Sequence, residues 1–305
     1  MRAIATRRAR IELTMHRPTY AEPILSWYAQ NARDLPWRRP DASPWAVLVS
    51  EIMLQQTPVS RVLPAYEAWL TRWPTPAALA AEPPGEAVRA WGRLGYPRRA
   101  LNLHASARAI VERHDGQVPS AYDDLRALPG VGAYTAAAVA SFAYRQRHAV
   151  LDTNVRRVLA RMVTGVEYPP KTQTAAEVRL AESLLPPDAE TAATWGVAVM
   201  ELGALVCTAR TPRCADCPVT ASCAWRLAGK PAYDGPARKG QTYAGTDRQC
   251  RGRLLAVLRH ASGPVERAAL DDAWDDVRQR ERALSSLIED GLIDPLDDGR
   301  FALPR

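Results

Sequence analysis

The chain has 305 residues, 47% hydrophobic and 24% charged, with a net charge of +7 and a pI near 9.4. That is enough apolar material for one large domain or two modest ones, no apolar run is long enough to cross a bilayer, and no hydrophobic leader segment follows the Arg-rich start. The charge is uneven, net +9 over residues 1–246 and net −2 over 247–305, so any polyanion partner is expected on the first part.

In chain order, "MRAIATRRAR" opens a stretch, 1–19, expected to be disordered or extended, with a true start nearer Met15 as the alternative. From residue 20 the pattern is helical almost throughout, with no alternating strand signal and no internal repeat. "AEPILSWYAQNA" (21–32) places Ile24, Trp27 and Tyr28 on one face, and "SPWAVLVSEIML" starts a helix with Ser43 as N-cap and Pro44 at the first helical position. Further helices are expected at 60–72, 84–92, 98–114, 121–127, 133–144, 153–164, 173–185 and 188–206. The stretch 231–246 is dense in Gly and Pro and reads as a linker. After it come helices at 250–260, 266–275 and 278–290 and two short strands around a turn at Asp297–Gly299, the pattern of a small winged-helix module.

Three motifs carry chemistry. Glu51 sits in the apolar run "SEIMLQQT" ahead of Gln55 and Gln56; alone, such a Glu is an ordinary solvated residue on a helix face. "LPGVGAYTAAAVASFA" (128–143) puts Gly130, Val131 and Gly132 in a tight turn opening a small-residue helix, a pattern that can grip a phosphate with backbone N–H groups or simply join two helices. Asp152 in "VLDTNVRRVLAR" reads first as a helix N-cap. Separately, Cys207, Cys214, Cys217 and Cys223 are spaced C-x6-C-x2-C-x5-C, which fits one zinc or one [4Fe–4S] cluster. Their bunching argues for a metal in a reducing compartment over a secreted disulfide framework; Cys250 stands apart as a plain thiol.

In their order, these motifs resemble the helix-hairpin-helix DNA glycosylases that carry an iron–sulfur cluster. Over roughly 20–230, "LPWR", "SEIMLQQT", "LPGVGAYTA", "VLDTNVRRVLAR" and "MELGALVCTARTPRCADCP" look like the A/G-specific adenine glycosylases of the MutY type. The resemblance implies an all-α, two-lobed fold with a [4Fe–4S] cluster, zinc being the alternative, and a monofunctional hydrolase of N-glycosyl bonds. It implies duplex DNA bearing an A:8-oxoguanine or A:G mispair as partner, with no membrane, and a monomer in a bacterial cytoplasm, nucleoid-associated. Glu51 then matches the general acid, Asp152 the carboxylate facing the sugar cation, and Tyr134 and Asn154 active-site hydrogen-bonding positions. Arg38, Gln55, Gln56, Thr57 and the Gly130–Val131–Gly132 turn match DNA contacts, with Gln56 as the wedge. Tyr134 stands where the related endonuclease III type has a lyase Lys, so strong lyase activity is not expected.

Two features depart from that family. Val197 occupies a position where its members carry Gln or Glu beside the adenine, and 247–305 is too short for their MutT-like domain. The acidic module therefore has a protein partner as one expected role, and because every candidate catalytic residue precedes it, truncation after about 246 is expected to leave excision measurable. Two other functions stay open at this point: a catalytically weak mismatch-sensing DNA-binding protein, and a glycosylase for another mismatch.

Overall fold

A computed structural model describes residues 20–235 and 243–305; the expected disordered start (1–19) and the middle of the expected linker (236–242) lie outside the described residues. The chain is helical, as its pattern implies. Helices α1 (Ala21–Asn31), α2 (Pro44–Leu54), α3 (Val59–Arg72), α4 (Pro76–Ala80), α5 (Pro84–Trp91), α6 (Arg98–Arg113), α7 (Tyr122–Arg126) and α8 (Ala133–Tyr144) precede α9 (Thr153–Leu159), which widens into a π turn at Ala160–Thr164. Then follow α10 (Ala175–Leu184), α11 (Ala189–Leu205), α12 (Ala224–Leu227), α13 (Asp247–His260), α14 (Arg267–Asp271) and α15 (Val277–Glu289), and the strands β1 (Asp294–Pro295) and β2 (Phe301–Ala302). The local rules hold at the starts: Ser43 accepts a hydrogen bond from the Ala46 N–H, with Pro44 next to it, and Thr174 and Glu177 form a capping box ahead of α10. The helix expected over 266–275 is confined to α14. The acids that follow, Asp271, Asp272, Asp275 and Asp276, oppose the negative end of a helix dipole, and Asp276 instead accepts from the Gln279 N–H to cap α15.

Two lobes result. One core gathers Trp45, Trp69, Trp73 and Trp91 with Leu48, Ile52 and Ile110 from α2 to α6; Trp69 meets Trp73 and Trp91 edge-on at ring-centroid distances of 4.6 and 5.7 Å. The other packs Ile24 of α1 against Val158 of α9 and Trp195 and Leu202 of α11. Helix α8 lies between them, against α2 and α11. Its buried Ala136, Ala137, Ala138 and Ala140 are small enough to let both neighbours approach. The residues that point into the space between the lobes therefore come from α2, the start of α8 and the start of α9.

The C-terminal segment is built as a winged helix would be, with α13–α15 followed by an antiparallel hairpin pairing Asp294 with Ala302 and Pro295 with Phe301, and a further bridge from Val265 to Phe301. Its apolar residues Cys250, Leu254, Leu258, Leu284, Leu287 and Ile293 belong to the same continuous core as Trp69 and Trp91. The join is also polar. Arg89 of α5 donates to the carbonyls of Leu258, Arg259 and Ala261 at 3.2, 2.5 and 2.8 Å, while Arg259 donates back to those of Val88 and Gly92. Each guanidinium thus satisfies the orphan carbonyls at the end of the other's helix. Gly85 comes so close to the tail that a Cβ there would lie 2.4 Å from the Pro304 carbonyl oxygen.

Candidate active site between the lobes

A cleft of about 1500 Å³ separates the lobes, and Glu51, Tyr134, Asp152 and Asn154 all face it. Glu51 is buried in α2, whose residues Trp45 to Met53 are buried without exception. The apolar surround pushes its pKa up to about 7, the Asp152 charge adds to the rise, and a hydrogen bond donated by the Tyr134 hydroxyl to Glu51 Oε2 at 2.9 Å, with Arg38 nearby, offsets part of it. Glu51 is therefore poised to give up or take a proton near neutral pH. Tyr134 is the second residue of α8, and burial raises its phenol well above the ordinary range, so at neutral pH it keeps the proton it donates to Glu51.

Asp152 caps α9: Oδ1 accepts from the Val155 N–H at 2.6 Å and Oδ2 from the Asn154 amide at 2.9 Å. Burial raises its pKa, against the pull of those hydrogen bonds and of Arg157. Asn154 is itself held, its Oδ1 accepting from Arg157 Nη2 at 2.8 Å, and Arg157 reaches on to the carbonyls of Gly203 at 2.6 Å and Cys207 at 2.8 Å. This chain of contacts requires α9 and α11 to touch. Gly203 permits it, since a Cβ there would sit 2.7 Å from Asn154 Cβ. The ordinary N-cap geometry of Asp152 and its place in the cleft thus coexist.

A third buried acid, Glu201, was not singled out from the sequence, although it shows the same signal as Glu51, an acid inside an apolar helix. Burial pushes its pKa up, but two-pronged hydrogen bonds from Arg33 at 2.7 and 2.6 Å and one from Arg38 at 2.9 Å outweigh this and hold it at about 2. Two glutamates in similar surroundings are thereby driven apart, one poised near neutrality and one permanently charged. Arg38, expected among the DNA contacts, shares in this group: Nη2 is committed to Glu201, Nη1 is buried without a hydrogen-bond partner, and the residue lines the wall of the cleft. Val197, 9% exposed, adds an apolar patch to that wall.

The expected DNA contacts divide in the same way. Gln55 donates to Thr135 Oγ1 at 3.2 Å, and Gln56 is exposed with a left-handed φ of 56°. Thr57 is buried rather than presented, its hydroxyl accepting from Arg99 Nη2 at 3.0 Å and lying 3.2 Å from the Leu94 carbonyl oxygen, to which it donates. In the hairpin, Gly130 adopts φ 74° and passes so close to Asn102 that a Cβ would lie 2.6 Å from it. Val131 sends its side chain into the core, and its N–H is donated to the Leu128 carbonyl. Gly132 precedes α8, and no side chain caps the first-turn N–H groups there. Tyr96, 48% exposed at a left-handed φ of 46°, also stands beside this surface. The Gly/Pro/aromatic run "GRLGYP" was the signal for it.

Away from the cleft, Cys207, Cys214, Cys217 and Cys223 line one small pocket with Arg161 and Trp225. Arg161, 1% exposed, places Nη1 3.5 Å from Cys207 Sγ, a buried cation suited to offset thiolate charge. Burial pushes the Cys217 thiol up to about 11, so ionising it calls for a metal. Among the described residues no three potential ligands are gathered tightly enough for a single ion. The four cysteines line one pocket, a donor set that suits a [4Fe–4S] cluster and equally a tetrahedral zinc.

Residues 49–183 match the HhH-GPD superfamily of base excision DNA repair proteins. Over 285 residues the chain is 57% identical to the adenine DNA glycosylase of Mycobacterium tuberculosis, covering 92% of both chains. The chain belongs to the adenine DNA glycosylase family. The adenine DNA glycosylase of Mycolicibacterium smegmatis is 56% identical over 92% of this chain and 94% of its own, and the human one 42% identical over 66% of this chain and 38% of its own. The mycobacterial matches are therefore long enough to extend into the C-terminal winged-helix segment. Among solved structures, a thermostable thymine-DNA glycosylase superposes with a TM-score of 0.63 at 28% identity, over 68% of this chain and 95% of its own. The fold of this adenine DNA glycosylase family member is thus that of the helix-hairpin-helix glycosylases, and no helix among the described residues is long and apolar enough to cross a membrane.

Proposed function

We propose that the protein flips adenine out of duplex DNA where it is mispaired with 8-oxoguanine or guanine, and hydrolyses its N-glycosidic bond. The observation that carries this reading is a buried Glu51 with a pKa raised to about 7, facing one cleft with Asp152 and Tyr134. Adenine is a poor leaving group until protonated. Glu51 delivers its proton to N7, the C1′–N9 bond breaks with its electron pair moving to the base, and the cationic sugar forms opposite the Asp152 carboxylate. The Tyr134 hydroxyl donates to the Glu51 carboxylate so created, and that carboxylate takes the proton of the attacking water. Arg38 and the apolar Val197 line the wall against which the extruded base would rest. Phosphate would be held by the uncapped first turn of α8 at Gly132, with Gln56 and Tyr96 entering the stack. A panel of duplexes tests the reading. Excision of adenine opposite 8-oxoguanine and guanine, with thymine opposite guanine left intact, is expected; release of thymine in place of adenine would sink it.

With Tyr134 where a lyase needs an amine, the product should be an abasic site in an unbroken strand. Gel analysis without alkali or heat is expected to show no scission, and efficient borohydride trapping would contradict this.

Cys207, Cys214, Cys217 and Cys223 would hold a [4Fe–4S] cluster, which supplies a cross-link for the loop and a one-electron couple that hydrolysis does not require. The purified protein should be brown and contain about four irons per chain, and Cys217→Ser should lower iron content and DNA affinity more than the chemical step. A colourless protein with one zinc would overturn the assignment.

A further inference from the structure

Arg99 is an internal cation with many acceptors and no place in the chemistry above. It is 8% exposed, and burial lowers its pKa to about 10, which leaves it charged at neutral pH. Nη1 donates to the carbonyls of Ile52, Met53 and Gln55 at 2.8, 3.0 and 2.6 Å, the last of α2 and its C-cap. Nη2 donates to Thr57 Oγ1 and to the Gly95 carbonyl, both at 3.0 Å. The guanidinium lies 5.3 Å from the Trp91 ring centre and 5.6 Å from that of Tyr96. Trp91 Nε1 donates to the same Gly95 carbonyl at 2.9 Å.

The acceptors bracket two unusual residues. Gln55 and Thr57 flank Gln56, and Gly95 and the Tyr96 ring define the second loop. Gln56 and Tyr96 are both non-glycine residues in the left-handed region, with φ of 56° and 46°, and both are exposed. Such conformations are strained and persist only where the surroundings over-determine them. A helix C-terminus alone would need an arginine only at α2; the contacts to Gly95 and Thr57 do nothing for α2 and tie the second loop to the first.

We propose that Arg99 is a positioning residue that clamps the 55–57 and 94–96 loops into one rigid two-pronged wedge, presenting Gln56 and Tyr96 together to the gap left when a base is extruded. The inference rests on the base-flipping function proposed above. Extrusion gives up stacking and pairing, and prongs already fixed in place need no ordering when they fill the gap. Thr57 completes the clamp, since its hydroxyl accepts from Arg99 and donates to Leu94.

The test uses the full-length protein and a duplex with 2-aminopurine next to an A:G mispair. In the Glu51→Gln background, where substrate stays uncut, saturating protein should raise 2-aminopurine fluorescence as the stack opens. Adding Arg99→Lys, which keeps the charge but not the fork, should remove most of that rise. With Glu51 intact, Arg99→Lys should slow single-turnover excision at saturating protein at least tenfold while duplex affinity moves less than threefold. Thr57→Val should reproduce the effect and Thr57→Ser should restore it, which keeps the proposal testable if Arg99→Lys does not fold. An unchanged fluorescence rise and excision rate in folded Arg99→Lys and Thr57→Val would overturn the clamp alone. Equal losses of affinity, rate and melting temperature, with no rescue by Thr57→Ser, would mark Arg99 as merely structural and overturn it as well. No rise with Arg99 intact would overturn base flipping, and the clamp with it.

Discussion

Glu51→Gln should abolish most excision and at the same time raise the melting temperature. Glutamine keeps the size of the side chain and can still meet the Tyr134 hydroxyl, but it has no carboxylic proton to give; general acid–base catalysis contributes ~10²–10⁴-fold, and the single-turnover rate should fall by at least that much. The stability gain follows from linkage. Folded Glu51 holds its proton up to about pH 7, against an ordinary value of 4.5, so the folded state binds more protons than the unfolded one between those values. Below pH 4.5 both states are protonated and burial of the carboxyl carries no ionisation penalty. As pH rises through 7 the folded protein must ionise a buried group, at a cost of order 3 kcal/mol. Glutamine escapes that cost. The difference in melting temperature between Glu51→Gln and wild type should be largest near pH 8 and shrink toward pH 5. Wild-type single-turnover excision should itself decline as pH passes 7. A variant as active as wild type, or one no more stable at pH 8 than at pH 5, would return Glu51 to an ordinary helix position.

Ending the chain after residue 246 should cost the fold of the first lobe, not only an accessory. Removal of the tail uncovers the apolar face of α5, with Val88 and Trp91, against which α13 packs in one continuous core. It also leaves the Arg89 guanidinium without the three carbonyls it serves and the Gly85 N–H without the Pro304 carbonyl. A domain is stable by only about 5–15 kcal/mol, so an uncovered apolar face together with these unpaired donors is a large fraction of it. The truncated chain should be insoluble or lack a cooperative melt, measured by circular dichroism beside the full chain. A milder version is Gly85→Ala, whose Cβ would meet the Pro304 carbonyl oxygen and Leu303; it should lower the melting temperature by several degrees with the cleft untouched. A folded, excising 1–246 fragment would show that the shared core is dispensable.

The expectation from sequence was the reverse, that truncation would spare the chemistry, and the reason is instructive. Gly- and Pro-rich composition at 231–246 argues for a linker; it carries no information about which surfaces meet on either side. What the sequence did make legible were features whose physics is local. The acid in an apolar helix, the "LPGVG" turn, the N-cap at Asp152 and the cysteine spacing each depend on neighbours within a few residues. The Arg33–Glu201–Arg38 group and the Arg99 clamp join residues far apart in the chain, Arg33 lying 168 positions from Glu201. Thr57 and Val131 match DNA contacts by motif position, yet their side chains are buried, and Arg38 shares Glu201 with Arg33; motif position reports a residue's neighbourhood, not where its side chain turns.

Helix α8 begins at Gly132 with no side chain to receive its first N–H groups, although α2, α9, α10 and α11 each have a Ser, Asp or Thr in that place. A good N-cap is worth roughly 1 kcal/mol, so the free protein forgoes this stabilisation at the helix that carries Tyr134 and joins the two lobes. A phosphate oxygen seated at Gly132 would act as the missing cap. With a phosphate in that place the duplex would be a structural component as well as a substrate, completing the first turn of the helix whose Tyr134 hydroxyl donates to Glu51.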